Sequence, residues 1–131
     1  MYTVEIDEAK RLIVITATGD VSKADVKGVA ERVRESLVDA EPGVRALTDL
    51  RRMKSMDPAS APHIAEIMDL LMGKGVISVT RVVADPKKDI GFNILSRFHY
   101  GDRVQISTFD NMADALASLI EEFATDLAGE E

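Results

Sequence analysis

The sequence has 131 residues, of which 46% are hydrophobic and 30% are charged, with no Cys and a formal net charge of −7. The lack of cysteine excludes a disulfide framework, a thiolate zinc site and a thiol nucleophile. No apolar stretch approaches the roughly 18 residues of a membrane helix, and the N-terminus lacks the pattern of a signal peptide. We therefore expect a cytoplasmic protein without a membrane span, with one domain over residues 1–127 and an acidic tail over residues 128–131.

The first part of the chain predicts two strands followed by a helix. Residues 2–7 alternate between apolar and polar side chains, and residues 12–15 are all apolar. This pattern indicates an opening hairpin whose second strand is the more buried one. Ser22 and Asp25 have the spacing of a capping box, and apolar residues at helical spacing then continue to Leu37.

The rest of the chain alternates between strands and helices. The predicted elements are a strand over 44–50, a loop over 51–58, a helix that begins near Pro58 and Pro62 and ends at Gly73, a strand over 77–84, a short helix over 92–98, a strand over 104–108 and a last helix capped by Asn111 and Asp114. This alternation indicates right-handed crossovers between parallel strands. We therefore predict an α/β fold: an open mixed sheet of about five strands, mostly parallel with an antiparallel first strand, and four helices.

Basic residues follow two of the predicted strands at their carboxyl ends. Arg51 and Arg52 come after the third strand, and Lys87 and Lys88 come after the fourth. Ligands of open parallel sheets bind beyond the carboxyl ends of the strands, so neighbouring strands would bring these cations to one rim. The alternative is that they are solvated loop charges. Binding of nucleic acid is not expected, because the chain lacks the broad positive field that it requires.

The histidines and hydroxyl groups give no clear catalytic signature. Asp57, Ser60 and His63 lie within seven residues at the start of the second helix. A hydrolase or transferase that uses these three side chains is one hypothesis, but Asp57 is better placed as a helix cap. Since no metal-ligand spacing and no phosphate loop is present, we expect a protein that is not an enzyme and binds no metal or cofactor.

Several segments of the sequence carry a family resemblance. A helix follows Gly-Asp-Val-Ser at residues 19–22, and Ala-Leu-Thr-Asp-Leu at residues 46–50 leads into a loop and a helix. The closing strand at residues 104–109 precedes a helix that starts Met-Ala-Asp-Ala-Leu at residues 112–116. With the opening hairpin, these features resemble the STAS domain (sulfate transporter and anti-sigma factor antagonist), especially its SpoIIAA-like branch, over nearly the whole chain.

The resemblance implies a regulatory module, but one of its functional positions differs here. Anti-sigma factor antagonists carry a phosphorylated serine in the turn that opens the second helix. Asp57 matches the aspartate of that turn, whereas Pro58 stands at the serine position and Ser60 lies two residues later. We therefore expect no serine phosphoswitch in this chain.

Two functional hypotheses follow. The first is a non-enzymatic module that binds a protein partner, with a partner- or anion-binding surface made of Arg51, Arg52, Asp57, Ser60, Lys87 and Lys88. The alternative is a carrier of a small apolar or amphipathic anionic ligand, because the SpoIIAA-like branch also resembles lipid-carrier folds. The apolar part of that ligand would lie among Met56, Ile64, Met68, Phe92 and Phe98, with its head near the basic rim.

Self-association is also open at this stage. A homodimer could form through the first strand if it lies at an edge of the sheet, although Glu5 and Asp7 would blunt such an edge. Pairing through the apolar helices is the alternative.

Overall fold

The computed structural model describes residues 1–85 and 90–129. The strands are β1 (Tyr2–Asp7), β2 (Leu12–Ala17), β3 (Gly19–Val21), β4 (Arg45–Asp49), β5 (Met53–Met56), β6 (Ser78–Val82) and β7 (Gln105–Phe109). The helices are α1 (Lys23–Leu37), α2 (Ala61–Gly73), α3 (Ile90–Tyr100) and α4 (Met112–Gly129), and a short 3₁₀ turn at Pro58–Ser60 leads into α2. Helix α4 thus extends into the predicted tail, whose residues 130 and 131 lie outside the described part.

Five strands form the main sheet in the order β1-β2-β4-β6-β7. β1 pairs antiparallel with β2 and all other neighbours pair parallel, which confirms the predicted fold class. Right-handed crossovers that progress in one direction along a sheet keep their helices on one face. The core accordingly has a large part beneath α1, α2 and α3 and a smaller part around Leu47, Val82 and Leu119 beneath α4.

A second, two-stranded sheet was not predicted. β3 and β5 pair in parallel, so the expectation of a loop over residues 51–58 is wrong for residues 53–56. The Gly19 N–H donates to the Arg52 carbonyl at 2.9 Å and helps to hold the two strands together. Strands of three and four residues are too short to show an alternation of polar and apolar side chains, so the sequence pattern does not reveal them.

The side-chain caps predicted for α1 and α4 are present. The Asp25 N–H donates to Ser22 Oγ at 3.0 Å, and the Ser22 N–H donates to the Asp25 carboxylate at 2.9 Å, which completes the capping box of α1. The hydrogen bond from the Ser22 backbone, and then that with its side chain, lowers the pKa of Asp25. At the start of α4, the Asp114 N–H donates to Asn111 Oδ1 at 2.9 Å.

Helix α1 lies very close to β1 at Gly28. A Cβ atom at position 28 would overlap the Tyr2 hydroxyl and would lie 2.9 Å from Tyr2 Cζ. Glycine within a helix costs roughly 0.5–1 kcal/mol relative to alanine. At this position the missing Cβ leaves room for the Tyr2 ring to pack between the helix and the edge of the sheet.

A largely buried ion-pair cluster joins α4 to the central strand β4. Arg45 is the first residue of β4 and its side chain is only 6% exposed. Its Nε donates to Glu122 Oε1 at 3.2 Å, and its Nη2 lies 2.6 Å from Asp126 Oδ2. The guanidinium also lies over the Phe123 ring, 5.1 Å from its centre. These contacts fix the position of α4 along the strand.

We predict that Glu122→Ala destabilises the protein, because the buried Arg45 guanidinium loses a carboxylate partner that is itself only 14% exposed. The free energy of unfolding should fall by about 2 kcal/mol, less than the roughly 3–5 kcal/mol for an isolated buried charge, since Asp126 still pairs with Arg45. Urea unfolding at neutral pH measures the loss. The exposed neighbour variant Glu121→Ala is the control, and an equal loss in both variants would contradict the ion-pair role.

Candidate functional site

The carboxyl ends of β4 and β6 meet at one edge of the sheet, as expected for neighbouring parallel strands. Asp49, the last residue of β4, pairs in register with Val82, the last residue of β6. The chain continues from β4 through Leu50, whose N–H donates to the Val82 carbonyl at 2.8 Å. Arg51 and Arg52 therefore lie at this edge. The other two predicted cations, at positions 87 and 88, lie outside the described residues.

Arg51 forms a local ion pair with Asp49. Its Nε donates to Asp49 Oδ1 at 3.0 Å and its Nη2 donates to Oδ2 at 2.8 Å, a two-pronged contact. Hydrogen bonding from Arg51 lowers the pKa of Asp49, and the same contact raises the pKa of Arg51. Arg51 thus neutralises a neighbouring carboxylate at the rim, while the Arg52 side chain is exposed.

The turn that opens α2 is built by Asp57 and Ser60. Asp57 caps it, as predicted, by accepting from the Ala59 N–H at 2.9 Å. Ser60 Oγ donates to the Asp57 carbonyl at 2.5 Å, and Ser60 is only 1% exposed. Ser60 therefore braces the turn from inside and is not part of the molecular surface. The nearby His63 Nδ1 lies 3.7 Å from Glu66, so the three side chains of the hydrolase hypothesis are engaged in separate contacts.

Exposed small, basic and acidic residues lie in this turn and in the segment that leads to it. We call them the helix-entrance surface, which comprises Arg52, Lys54, Asp57, Pro58, Ala59, Ala61 and Pro62, all of them exposed. The β3–β5 pair supports it from one side, because the Asp57 N–H donates to the Val21 carbonyl at 3.0 Å. Two prolines and a side-chain cap restrict its backbone further. The surface is therefore held in one shape before any partner binds.

An apolar cavity of about 80 Å³ lies between the sheet and the helices α1, α2 and α3. Four residues of the predicted apolar pocket line it: Met56, Ile64, Met68 and Phe92. The side chain of Phe98, the fifth residue of that prediction, lies outside the described part. A second cavity of about 160 Å³ shares Met56, Ile64 and Phe92 with the first and reaches Pro58 on the helix-entrance surface.

Arg81 is the residue of this region that the sequence analysis missed. It lies on β6, an interior strand of the main sheet, is 3% exposed and lines the inner cavity. Its Nη1 donates to Ser96 Oγ at 3.0 Å and its Nη2 donates to Asn93 Oδ1 at 3.1 Å. The guanidinium also lies 5.7 Å from the centre of the Phe92 ring. The sequence does contain a signal for Arg81, because it is a single arginine among the apolar residues of a predicted strand.

Polar groups in the cavity wall are few. Tyr100 and Thr48 are the other hydrogen-bonding side chains among the residues that line the inner cavity. Burial raises the pKa of Tyr100, although the nearby charge of Arg81 opposes this shift. The phenol therefore stays neutral at physiological pH, and Arg81 supplies the positive charge of the cavity wall.

The described part of the chain has neither a cluster of metal-ligating side chains nor a membrane-spanning helix. Over residues 1–85 and 90–129, no group of three or more His, Asp or Glu side chains could hold a metal ion. Within the same residues, none of the helices combines the length and the hydropathy needed to cross a membrane.

The chain matches no family model and no curated protein, but it matches several solved structures. A DUF3478-family protein with a SpoIIAA-like fold from Shewanella loihica aligns with 90% of this chain and 93% of its own, with a TM-score of 0.68 and 17% identity. The unphosphorylated anti-sigma factor antagonist SpoIIAA aligns over 92% and 98%, with a TM-score of 0.63 and 10% identity. A chain from the complex of the Pseudomonas aeruginosa diguanylate cyclase SiaD with its activator SiaC aligns over 82% and 92%, with a TM-score of 0.50 and 17% identity.

These likenesses define the fold of the protein. The chain has the SpoIIAA-like architecture of STAS domains, as the resemblance of its sequence segments predicted. At 10% and 17% identity, what carries over is the arrangement of strands and helices. The function has to be argued from the side chains of this chain.

We predict that Arg51→Ala raises the pKa of Asp49 towards its ordinary value, because its main hydrogen-bonding partner is lost. A carboxylate with a lowered pKa contributes stability above its ordinary pKa, and this contribution disappears as the pH falls through the pKa of the folded state. The variant should therefore lose less than about 1 kcal/mol at neutral pH and nothing in strong acid. Carbon NMR titration of Asp49 measures the shift. An unchanged titration would refute the pairing. The control is Arg32→Ala on α1, because Arg32 is not among the groups that shift the pKa of Asp49.

Proposed function

We propose that the protein is a non-enzymatic, cytoplasmic regulatory module that binds a protein partner through its helix-entrance surface. The observation that carries the proposal is the ordered and exposed shape of this surface at the carboxyl edge of the sheet. Proteins named as regulators support it, since SpoIIAA is an anti-sigma factor antagonist and the SiaC–SiaD structure joins an activator with a cyclase. The fold therefore serves protein recognition in other chains.

The chemistry of the surface favours binding over catalysis. Asp57 is engaged as a cap, and Ser60 is buried behind it, so neither side chain is available as a nucleophile or a base. What remains exposed is Pro58 and Pro62 at the start of α2 and the cations Arg52 and Lys54 in the segment that leads to the turn. A partner that combines an apolar contact with acidic side chains is complementary to this arrangement. Because the surface is already ordered, binding loses little conformational entropy.

The same geometry argues that binding is not switched by serine phosphorylation in the turn. Pro58 has no hydroxyl group, and the hydroxyl of Ser60 is buried and bonded to the Asp57 carbonyl. A kinase would have to open the turn to reach it. We therefore propose that partner binding by the helix-entrance surface does not depend on phosphorylation of a serine in this turn.

We predict that the double variant Arg52→Glu/Lys54→Glu loses partner binding, because it reverses both cations of the helix-entrance surface. A photo-crosslinking amino acid at Ala59 should capture the same protein from the native host in the wild-type background and not in the double variant. The matched control is the exposed Arg32→Glu on α1, which should leave capture unchanged. Equal capture by the wild type and the double variant would exclude this surface.

The inner cavity supports a second candidate function, that of a carrier for a small amphipathic anion. An apolar cavity of roughly 150 Å³ takes up benzene in another protein, and here about 80 Å³ adjoins about 160 Å³ across the shared side chains Met56, Ile64 and Phe92. Rotation of Phe92 would join the two spaces into a passage to the surface. Arg81 brings a buried positive charge to the apolar wall, where it suits a carboxylate head group.

We predict that decanoate binds in this cavity and that Arg81→Met weakens it about tenfold or more, since a charge-assisted hydrogen bond is lost. Decanol, which has the same chain without the charge, should bind both proteins equally. If the head group instead lies at the rim, Arg52→Met will be the variant that weakens decanoate. Isothermal titration measures the affinities. Absence of binding, together with native mass spectra that show no co-purified ligand, would exclude the carrier function.

A further inference from the structure

The two faces of the main sheet are covered unequally. Helices α1, α2 and α3 pack on one face, whereas α4 is the one helix of residues 1–85 and 90–129 that packs on the other. Helix α4 lies over β6 and β7. Because a helix is roughly 10 Å wide and neighbouring strands are about 4.8 Å apart, β1 and β2 lie beside α4 and not beneath it.

Apolar side chains line the space beside α4. Leu12 and Val14 of β2 point to this face of the sheet and are only partly buried. On α4, Leu116 and Ile120 are 44% and 67% exposed. Their spacing places them on the same side of the helix as Phe123, which packs against the same core cluster as Leu12 and Val14. Exposed apolar side chains that adjoin one another in this way are typical of interaction sites.

The opposite side of α4 is polar and faces the other edge of the sheet. Ser118 and Thr125 line a cavity together with Gln105, the first residue of β7. The apolar side of α4 therefore faces β2. We call the space over β2 the α4 groove, whose floor is β2 and whose first wall is the apolar side of α4.

The second wall of the α4 groove is β1, and it carries negative charge. Glu5 and Asp7 are exposed and pair in register with Val14 and Leu12, so they point to the same face of the sheet as the floor. Lys10 offsets this charge only weakly, because its Nζ lies 4.0 Å from the Asp7 carboxylate and both side chains are exposed to water.

We propose that the α4 groove binds an amphipathic helix of a protein partner. The apolar side of that helix packs on β2, Leu116 and Ile120, and its Lys or Arg side chains face Glu5 and Asp7. Helices that dock into grooves anchor through apolar residues three and four positions apart, and the acidic wall favours a basic partner. The α4 groove shares no residue with the helix-entrance surface, so this proposal does not depend on the proposed function.

A second copy of this chain does not have the required helix. Its α4 is apolar on one side but contains four acidic residues and no basic one, so it would meet Glu5 and Asp7 with like charge. Among the described side chains, Ile94 is the one large apolar residue that α3 exposes, and α1 and α2 expose none. Charge and apolar area therefore both favour a different protein.

The test is fluorescence anisotropy of the full chain with two labelled peptides of about 18 residues, or five helical turns. Both peptides carry leucine at helical spacing, and their polar positions are lysine in one and glutamate in the other. The wild type should bind the lysine peptide about tenfold or more tightly than the glutamate peptide. Leu116→Ser/Ile120→Ser should weaken the binding of the lysine peptide by a similar factor, because apolar contact area is lost.

Charge reversal identifies the wall that selects the partner. Glu5→Lys/Asp7→Lys should reverse the preference, so that the glutamate peptide binds more tightly. The matched control is Glu31→Lys/Glu35→Lys on the exposed side of α1. It changes the net charge equally on the opposite face and should keep the preference for the lysine peptide.

Three results would overturn the proposal. The first is a wild type that binds neither peptide, and the second is an equal loss of preference in the β1 variant and the α1 control. The third is a wild-type dimer in sedimentation that Leu116→Ser/Ile120→Ser dissociates, since a second copy would then occupy the groove. Circular dichroism and urea unfolding show whether each variant is folded. If the β1 double variant is not, Glu5→Lys alone decides, because Asp7 also accepts from the Lys10 N–H in the turn.

Discussion

The handedness of strand crossovers is the constraint on which the rest of this structure depends. Because each crossover in the parallel part of the sheet turns the same way and moves in one direction, α1, α2 and α3 cover one face. Helix α4 follows the last strand, is part of no crossover and covers the other face. The same rule places the loops that follow β4 and β6 at one edge of the sheet, and it places the cavity beneath three helices. Among the described residues, it also leaves β7 as an edge strand with no partner on its outer side. The buried ion pairs of Arg45 then hold α4 against β4 on the second face of the sheet.

Most of this architecture could be predicted from periodicity, since α1 and the opening hairpin show their buried faces in the spacing of apolar residues. The caps at Ser22 and Asn111 could also be predicted from the sequence, because capping depends on contacts within a few residues of the chain. β3 and β5 could not be found in this way. Their pairing depends on main-chain hydrogen bonds between distant segments, such as that from Gly19 to Arg52, and these leave no mark in side-chain spacing.

The candidate site shows the same division between local and distant contacts. Topology alone predicted that Arg51 lies at the carboxyl edge, but its two-pronged contact with Asp49 depends on the geometry of the turn. Burial of Ser60 depends in the same way on how the 3₁₀ turn sits against the core. Arg81 is the clearest case: Asn93 and Ser96, which hold its guanidinium, come from a helix that follows the strand, and no local pattern links them.

The contact between Tyr2 and Gly28 has an evolutionary consequence. The end of the Tyr2 side chain occupies the place of a Cβ atom at position 28, so the two positions constrain each other. A lineage that replaces the glycine must turn the tyrosine side chain away from the helix, replace it with a smaller residue, or move the first strand. In a set of related sequences, positions 2 and 28 should therefore covary, and the pair should reveal how that strand docks even where overall identity is low.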